Sequence, residues 1–254
     1  MMGPTPLTAP DEPDAPNSSA TRASHVYALL RRDIVHNQLK AGEKLRVENL
    51  AERYRVGATP VREALNRLSA EGLVSQQDQR GFRVSPISKE DLLELTRTRC
   101  WVTEIVMREA IAHGGEEWEE GIFLAFRRLT RTPSLLPGDT PALNPAWEQL
   151  HHLFHDSLVA ACPSRMLLDF YDRMFEAADR YRNLASGRRS LTGRDVQEEH
   201  RAIMEATIGR RTDDAIRLLN EHTRHTTRTL LELLDEQPEL DAGPAKSGLA
   251  VERA

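Results

Sequence analysis

Cysteine is almost missing from this chain of 254 residues: only Cys100 and Cys162 occur, far apart and without CxxC spacing. That excludes a disulfide framework and a cysteine-built zinc site, and it fits a reducing compartment such as the cytoplasm. Long apolar runs are missing too. No stretch approaches the roughly 20 residues that a membrane helix needs, so no bilayer span is expected. The first twenty residues, rich in Pro, Ala and acids, lack the basic start and apolar stretch of a secretory signal. No Gly-rich phosphate loop, nucleophile elbow or HExxH is present, which removes the common motif-marked enzyme classes. What remains is a composition of 39% hydrophobic and 29% charged residues, suited to burying a core, at a length suited to two domains.

The net charge of −5 conceals an asymmetry. Residues 21–87 hold 12 Lys and Arg against 7 Asp and Glu, a balance of +5, so the remainder carries −10. A basic module able to meet phosphates is joined to an acidic one that is not.

Within the basic module, Val26, Leu29, Leu30 and Ile34 mark one face of a supporting helix over 24–37, and Leu39 to Gly42 breaks the pattern. A second helix is expected from Val47 to Tyr54, with Gly57 supplying the tight turn to a third. That third helix starts near Thr59 with Pro60 in its first turn, where a missing N–H costs little. Val61, Leu65 and Leu68 face inward, leaving Arg62, Asn66 and Ser69 on the opposite face. Arg suits guanine and Asn suits adenine in a major groove, so these are the candidate base readers. Glu71-Gly72 ends the helix, and Leu73-Val74 and Phe82-Val84 flank a polar turn with Arg80 and Gly81, the expected wing. Arg46, Thr59, Arg80 and Gly81 complete the candidate DNA contacts.

From Lys89 to about Glu236 the chain reads as some six helices, with breaks at 113–115, 132–145, Pro163, 186–193 and 209–212. No alternating strand pattern appears, so an all-α bundle with an interior pocket is expected. Four of the nine histidines fall on apolar stripes: His151, His155, His200 and His222. His151 and His155 are one helical turn apart, about 5 to 6 Å at Cβ, so both imidazoles can reach one ion. His200 and His222 can close the site from two further helices. The same pattern also suits hydrogen-bonded core histidines. His25, His36, His113, His152 and His225 lack this joint placement and read as surface or incidental residues.

The run VGATPVREALNRLSAEGLV followed by RGFRV resembles the winged-helix domain of GntR-type bacterial transcription regulators. Members commonly carry Ser-Arg before Thr-Pro; this chain has Gly57-Ala58, which shifts base readout onto Arg62 and Asn66. The later segments TRTRCWVTEIVMREAI, HHLFHDSLVAACPSRMLLDFY and EEHRAIMEATIGRRTDDAIRLLNEH are similar to the ligand-binding FCD domain of the FadR-like branch. The RCWV run and AACPS turn are nearest the CsiR-like subgroup. The resemblance implies a divalent ion held by His155, His200 and His222, with His151 where many members have Asp or Asn. Four imidazoles favour zinc or nickel over manganese or magnesium. It also implies a small carboxylic acid, which the CsiR-like likeness narrows to a short dicarboxylate, held by Arg99, with Arg97 the second choice.

The expected architecture is therefore mainly α: an arm over 1–20 and a tail over 237–254, both disordered, a winged helix-turn-helix over 21–87, and a helical effector domain over 88–236. The expected function is a homodimeric regulator, a repressor by preference, that binds double-stranded operator DNA under control of the carboxylate. A helical metalloenzyme is the competing reading. Glu148-x-x-His151 resembles half of a di-iron carboxylate motif, but the stretch before His200 offers only Gln197, so the second half is missing.

Overall fold

The computed structural model describes residues 19–77, 81–137, 142–185 and 194–236. Most of the expected arm, the whole tail and Arg80 lie outside them. Two compact units emerge: one contains the chain up to Ile34 together with Gly42–Ser85, the other Val35–Ala41 and the chain from Pro86 onward.

In the first unit, α1 (Ser19–Val35) buries Ala23, Val26, Leu30 and Ile34, the i, i+3, i+4 spacing of one helical stripe. It begins five residues before the expected start at residue 24, and Ala23, too small to mark an apolar stripe in the sequence, adds one more turn to the buried face. Helix α2 (Val47–Arg53) buries Val47 and Leu50; α3 (Ala58–Ala70) buries Pro60, Val61, Ala64, Leu65 and Leu68. The turn between them departs from expectation. Arg55, at φ 54°, takes the left-handed position, and Gly57 is the extended N-cap of α3. The bond from Val56 N to Ala51 O closes the α2 end, which sets the left-handed residue two places earlier than glycine content suggests.

Polar ties fix these helices. The buried Asp33 carboxylate accepts from Arg53 at 2.6 Å and from the Tyr54 hydroxyl at 2.9 Å. Tyr27 donates to Glu71 at 2.8 Å while Arg67 stacks 4.1 Å from its ring centre. The wing is a three-stranded antiparallel sheet in the order β1 (Lys44–Leu45), β3 (Gly81–Val84), β2 (Val74–Gln77). Val74 pairs with Val84, and Leu45 with Phe82. The sequence reading contained the hairpin but not β1, whose two residues are too few to show alternation.

The second unit carries six helices among its described residues: α4 (Lys89–His113), α5 (Glu116–Thr130), α6 (Pro145–Val159), α7 (Arg165–Ala185), α8 (Val196–Ile208) and α9 (Thr212–Glu236). Side-chain caps start three of them: Ser88 accepts from Asp91 N, Asn144 from Ala146 N, and Asp195 from Glu198 N. The α4–α5 corner requires Gly114, where a Cβ would stand 2.0 Å from the Trp118 ring. The bundle is not purely helical. A ladder of β4 (Leu135–Leu136) and β5 (Ala142–Leu143) interrupts the α5–α6 connection, again too short to register as a strand pattern. Val106, Met107, Ala110, Ile122, Phe154, Leu158, Ile203 and Ala215 have no exposed surface and form the core centre. Removing a ring such as Phe154 would cost about 3 to 5 kcal/mol.

Candidate nucleic-acid interface and candidate metal centre

On the first unit, the inward stripe of α3 leaves Thr59, Arg62 and Asn66 exposed, with Arg62 and Asn66 one turn apart near the helix start. Arg46 is exposed at the N-cap of α2, and Gly81 is exposed at the start of β3. Gly81 has φ +80°, so its lack of a side chain answers a left-handed backbone as well as any close approach to DNA. Arg83, on the same strand, donates to Gly42 O at 3.0 Å and serves the sheet. Lys44, exposed on the strand that sequence reading missed, adds a cation to this surface.

On the second unit, α6 supplies His151 and His155, α8 supplies His200 and α9 supplies His222. Their exposures are 4%, 2%, 2% and 7%, so water does not serve them. Each offers a ring nitrogen, and the four lie within 4.8 Å of one another. His151 and His155 bring their Nε2 atoms to 3.1 Å. Phe154 and Phe175 wall the cluster, and Trp147 stacks on His151 at 4.7 Å. Burial, reinforced by the neighbouring imidazoles, holds His151, His155 and His200 well below the usual histidine range. Burial also lowers His222, against the pull of Glu199. Four neutral imidazoles are the protonation state a metal ion requires.

The donor set fits a divalent cation of borderline softness. Buried His155 Nδ1 and His200 Nε2 have no hydrogen-bond partner, and each such orphan costs about 1 to 3 kcal/mol. Four ring nitrogens within 4.8 Å of one another, two of them 3.1 Å apart, would be able to hold such an ion between them. No carboxylate joins this group among the described residues.

Around the chamber stand groups that the sequence did not single out. Glu199 receives Arg194 and His222, and these bonds overcome the effect of burial and hold its carboxyl far below the usual range. Arg182 of α7 lies 4.6 Å from the Phe175 ring centre and Arg99 of α4 lies 5.2 Å from it. Both are half-buried, and burial lowers each, Arg182 to about 9. Arg97 is exposed, so Arg99 is the member of that pair directed at the chamber's aromatic wall. Arg182 also pairs with Asp179. His152 is neither incidental nor simply surface. Its Nε2 lies 2.7 Å from Asp172 and 3.4 Å from Asp156, and these carboxylates raise it although burial works the other way. A shallow depression of about 470 Å³ beside Trp118 and Ser157 lies away from all this chemistry and lacks its cations.

A winged helix with an exposed Arg-Asn face, carried by a chain whose other unit is a helical bundle enclosing a polar chamber, points to the class of DNA-binding regulators. Comparison with known proteins supplies the family. Residues 22–84 match the model for "Bacterial regulatory proteins, gntR family" and residues 94–225 match the FCD domain. The chain is 35% identical over 196 residues to the uncharacterized HTH-type transcriptional regulator BphR of Paraburkholderia xenovorans, covering 77% of this chain and 80% of that one. It is 33% identical over 199 residues to the HTH-type transcriptional repressor GlaR of Escherichia coli, covering 77% and 90%. The solved structure of E. coli McbR/YncC shares the fold at a TM-score of 0.68 and 18% identity, covering 84% of this chain and 98% of that one. The chain belongs to the GntR family and carries an FCD domain. It is a DNA-binding transcription regulator and not an enzyme. No described helix is long and apolar enough to cross a membrane.

Proposed function

We propose that this regulator is a repressor, acting as a homodimer on a pseudo-palindromic operator, and that a small dicarboxylate bound beside a divalent ion, zinc or nickel, relieves repression. The observation that carries the reading is the enclosure of four neutral imidazoles on three helices, with two guanidiniums on the adjoining Phe175 wall. The imidazoles supply a cation site without anionic charge. Arg99 and Arg182 supply planar donors for carboxylates. An effector carboxylate can join the ion only if four nitrogens leave a position open, which requires five- or six-fold coordination.

On the DNA side, Arg62 and Asn66 read base edges while Arg46, Thr59, Arg80 and the Gly81 backbone meet phosphates. The effector acts by binding the DNA-competent and DNA-incompetent arrangements with different affinity; equal affinity would shift nothing. The test is a mobility shift with the promoter DNA upstream of the protein's own gene, using zinc-loaded protein and a series of mono- and dicarboxylates. Binding weakened by a dicarboxylate is expected. No binding at low salt defeats the DNA reading, and binding indifferent to every acid defeats the effector reading.

A further inference from the structure

Two groups compete for one ring nitrogen of His222. Its Nδ1 lies 2.8 Å from Glu199 Oε2 and 3.0 Å from Arg194 Nη2. A neutral imidazole has a single N–H, so Nδ1 either donates to Glu199 or accepts from Arg194, never both. The choice fixes the other nitrogen. When Nδ1 carries the proton, Nε2 offers a lone pair; when Nδ1 accepts, Nε2 carries the hydrogen and is closed to a cation.

The surroundings hold the two rivals in place. Arg194 grips both oxygens of Glu199, with Nε 2.5 Å from Oε1 and Nη2 on Oε2. It also donates to Thr226 Oγ1 and to the His222 carbonyl, each at 3.0 Å. Glu199 stands in the first turn of α8, beside His200, so the helix that brings one imidazole to the chamber also brings the carboxylate to another. Arg194 Nη2 carries two N–H groups, and Glu199 Oε2 and the His222 carbonyl already take both, so Nδ1 is better satisfied by donating to Glu199, which favours the Nδ1-protonated form. A cation on the far nitrogen makes Nδ1–H more acidic and tightens the same bond.

We infer that Glu199 is a positioning residue for the metal centre: it selects the His222 tautomer whose Nε2 lone pair is free for a divalent cation, while Arg194 alone would hold the opposite tautomer. The inference rests on the reading that the four histidines bind such a cation. It assigns Arg194 two opposed effects, orienting Glu199 and threatening the site if Glu199 is lost.

The test titrates zinc into full-length protein against a chromophoric chelator. Glu199→Ala is expected to lower zinc affinity by about 10- to 100-fold, the usual cost of an outer partner. Adding Arg194→Met to that variant is expected to recover most of the loss, because nothing then enforces the closed tautomer. A merely structural role would make the double variant worse than the single one. Equal zinc affinity of wild type and Glu199→Ala, or a double variant no better than the single, overturns the inference. Imidazole 15N spectra of the wild-type apo-protein provide a readout that needs no substitution: protonation of His222 at Nδ1 supports it, and protonation at Nε2 overturns it. Wild type titrated in parallel keeps the two readings apart. If wild type itself takes no zinc, the four-histidine site falls, and the tautomer argument with it.

Discussion

The outer face of α3 and the histidine chamber put their working side chains into opposite solvents. Arg62 and Asn66 stand in water on a helix whose other face is fully packed, whereas the four imidazoles are sealed between Phe154 and Phe175. On the outer face of α3, the proposed base reading resides in side-chain identity and the fold is indifferent to it. In the chamber, the proposed function and folding share the same atoms, since buried nitrogens without partners weaken the protein and a ligand that satisfied them would stabilise it. Four experiments bear on this difference.

The largest effect is expected from His155→Ala. Removing a ligand costs more than the 10- to 100-fold of an outer partner, so zinc recovered with the purified protein should fall below stoichiometric and carboxylate affinity should fall with it. Zinc content by elemental analysis at wild-type level would count against the chamber as a metal site.

Acid should distinguish neighbouring histidines on one helix. His151, His155, His200 and His222 are depressed by burial, so the unfolded chain takes up protons that the folded chain refuses. Stability of the chelator-treated protein is therefore present above the ordinary histidine range, near pH 6.5, and is lost as pH falls below it. His152 is raised by Asp156 and Asp172, so its contribution is present at low pH and fades as pH rises through its folded value. Urea unfolding at several pH values should show the net acid loss, steeper in His152→Gln. A flat profile, or stability rising on acidification, would remove the buried-neutral description of the chamber.

Next comes Arg62→Ala. Loss of one bidentate base contact is worth about 1 to 3 kcal/mol, or roughly 5- to 150-fold in operator affinity, with relaxed preference at one base pair. Zinc content should not change. A variant that lost both DNA and zinc would show that the reading face is not separable from the fold, and the comparison would fail.

How much of this was written in the sequence follows from the same contrast. The α3 stripe and the four histidines were legible because helical periodicity assigns faces, and a face is enough to say in or out. Partners across the bundle were not. Glu199 and Arg182 carry no motif, and their roles arise from α8 meeting α9 and α7 meeting α4, contacts that no local spacing records. His152 was misread for the reverse reason: it lies off the apolar stripe, yet Asp172 from α7 reaches it. Local geometry defeated residue preference at Arg55, where a closing hydrogen bond imposed a left-handed backbone on an arginine while the nearby glycine took an extended one.

The smallest effect, and the finest test of the comparison, belongs to Arg46→Ala. Arg46 is exposed at the α2 N-cap, makes no side-chain capping bond there and leaves the apolar packing of Val47 and Leu50 untouched. If it meets a phosphate, its loss should weaken all duplexes alike and lower the slope of log affinity against log salt by about 1, with no change in which sequence is preferred. Arg62→Ala should do the converse, altering preference more than slope. Measuring both variants on operator and scrambled DNA at several salt concentrations therefore separates positioning from reading within one basic surface. A change of sequence preference in Arg46→Ala would move that residue from the phosphate set to the base-reading set.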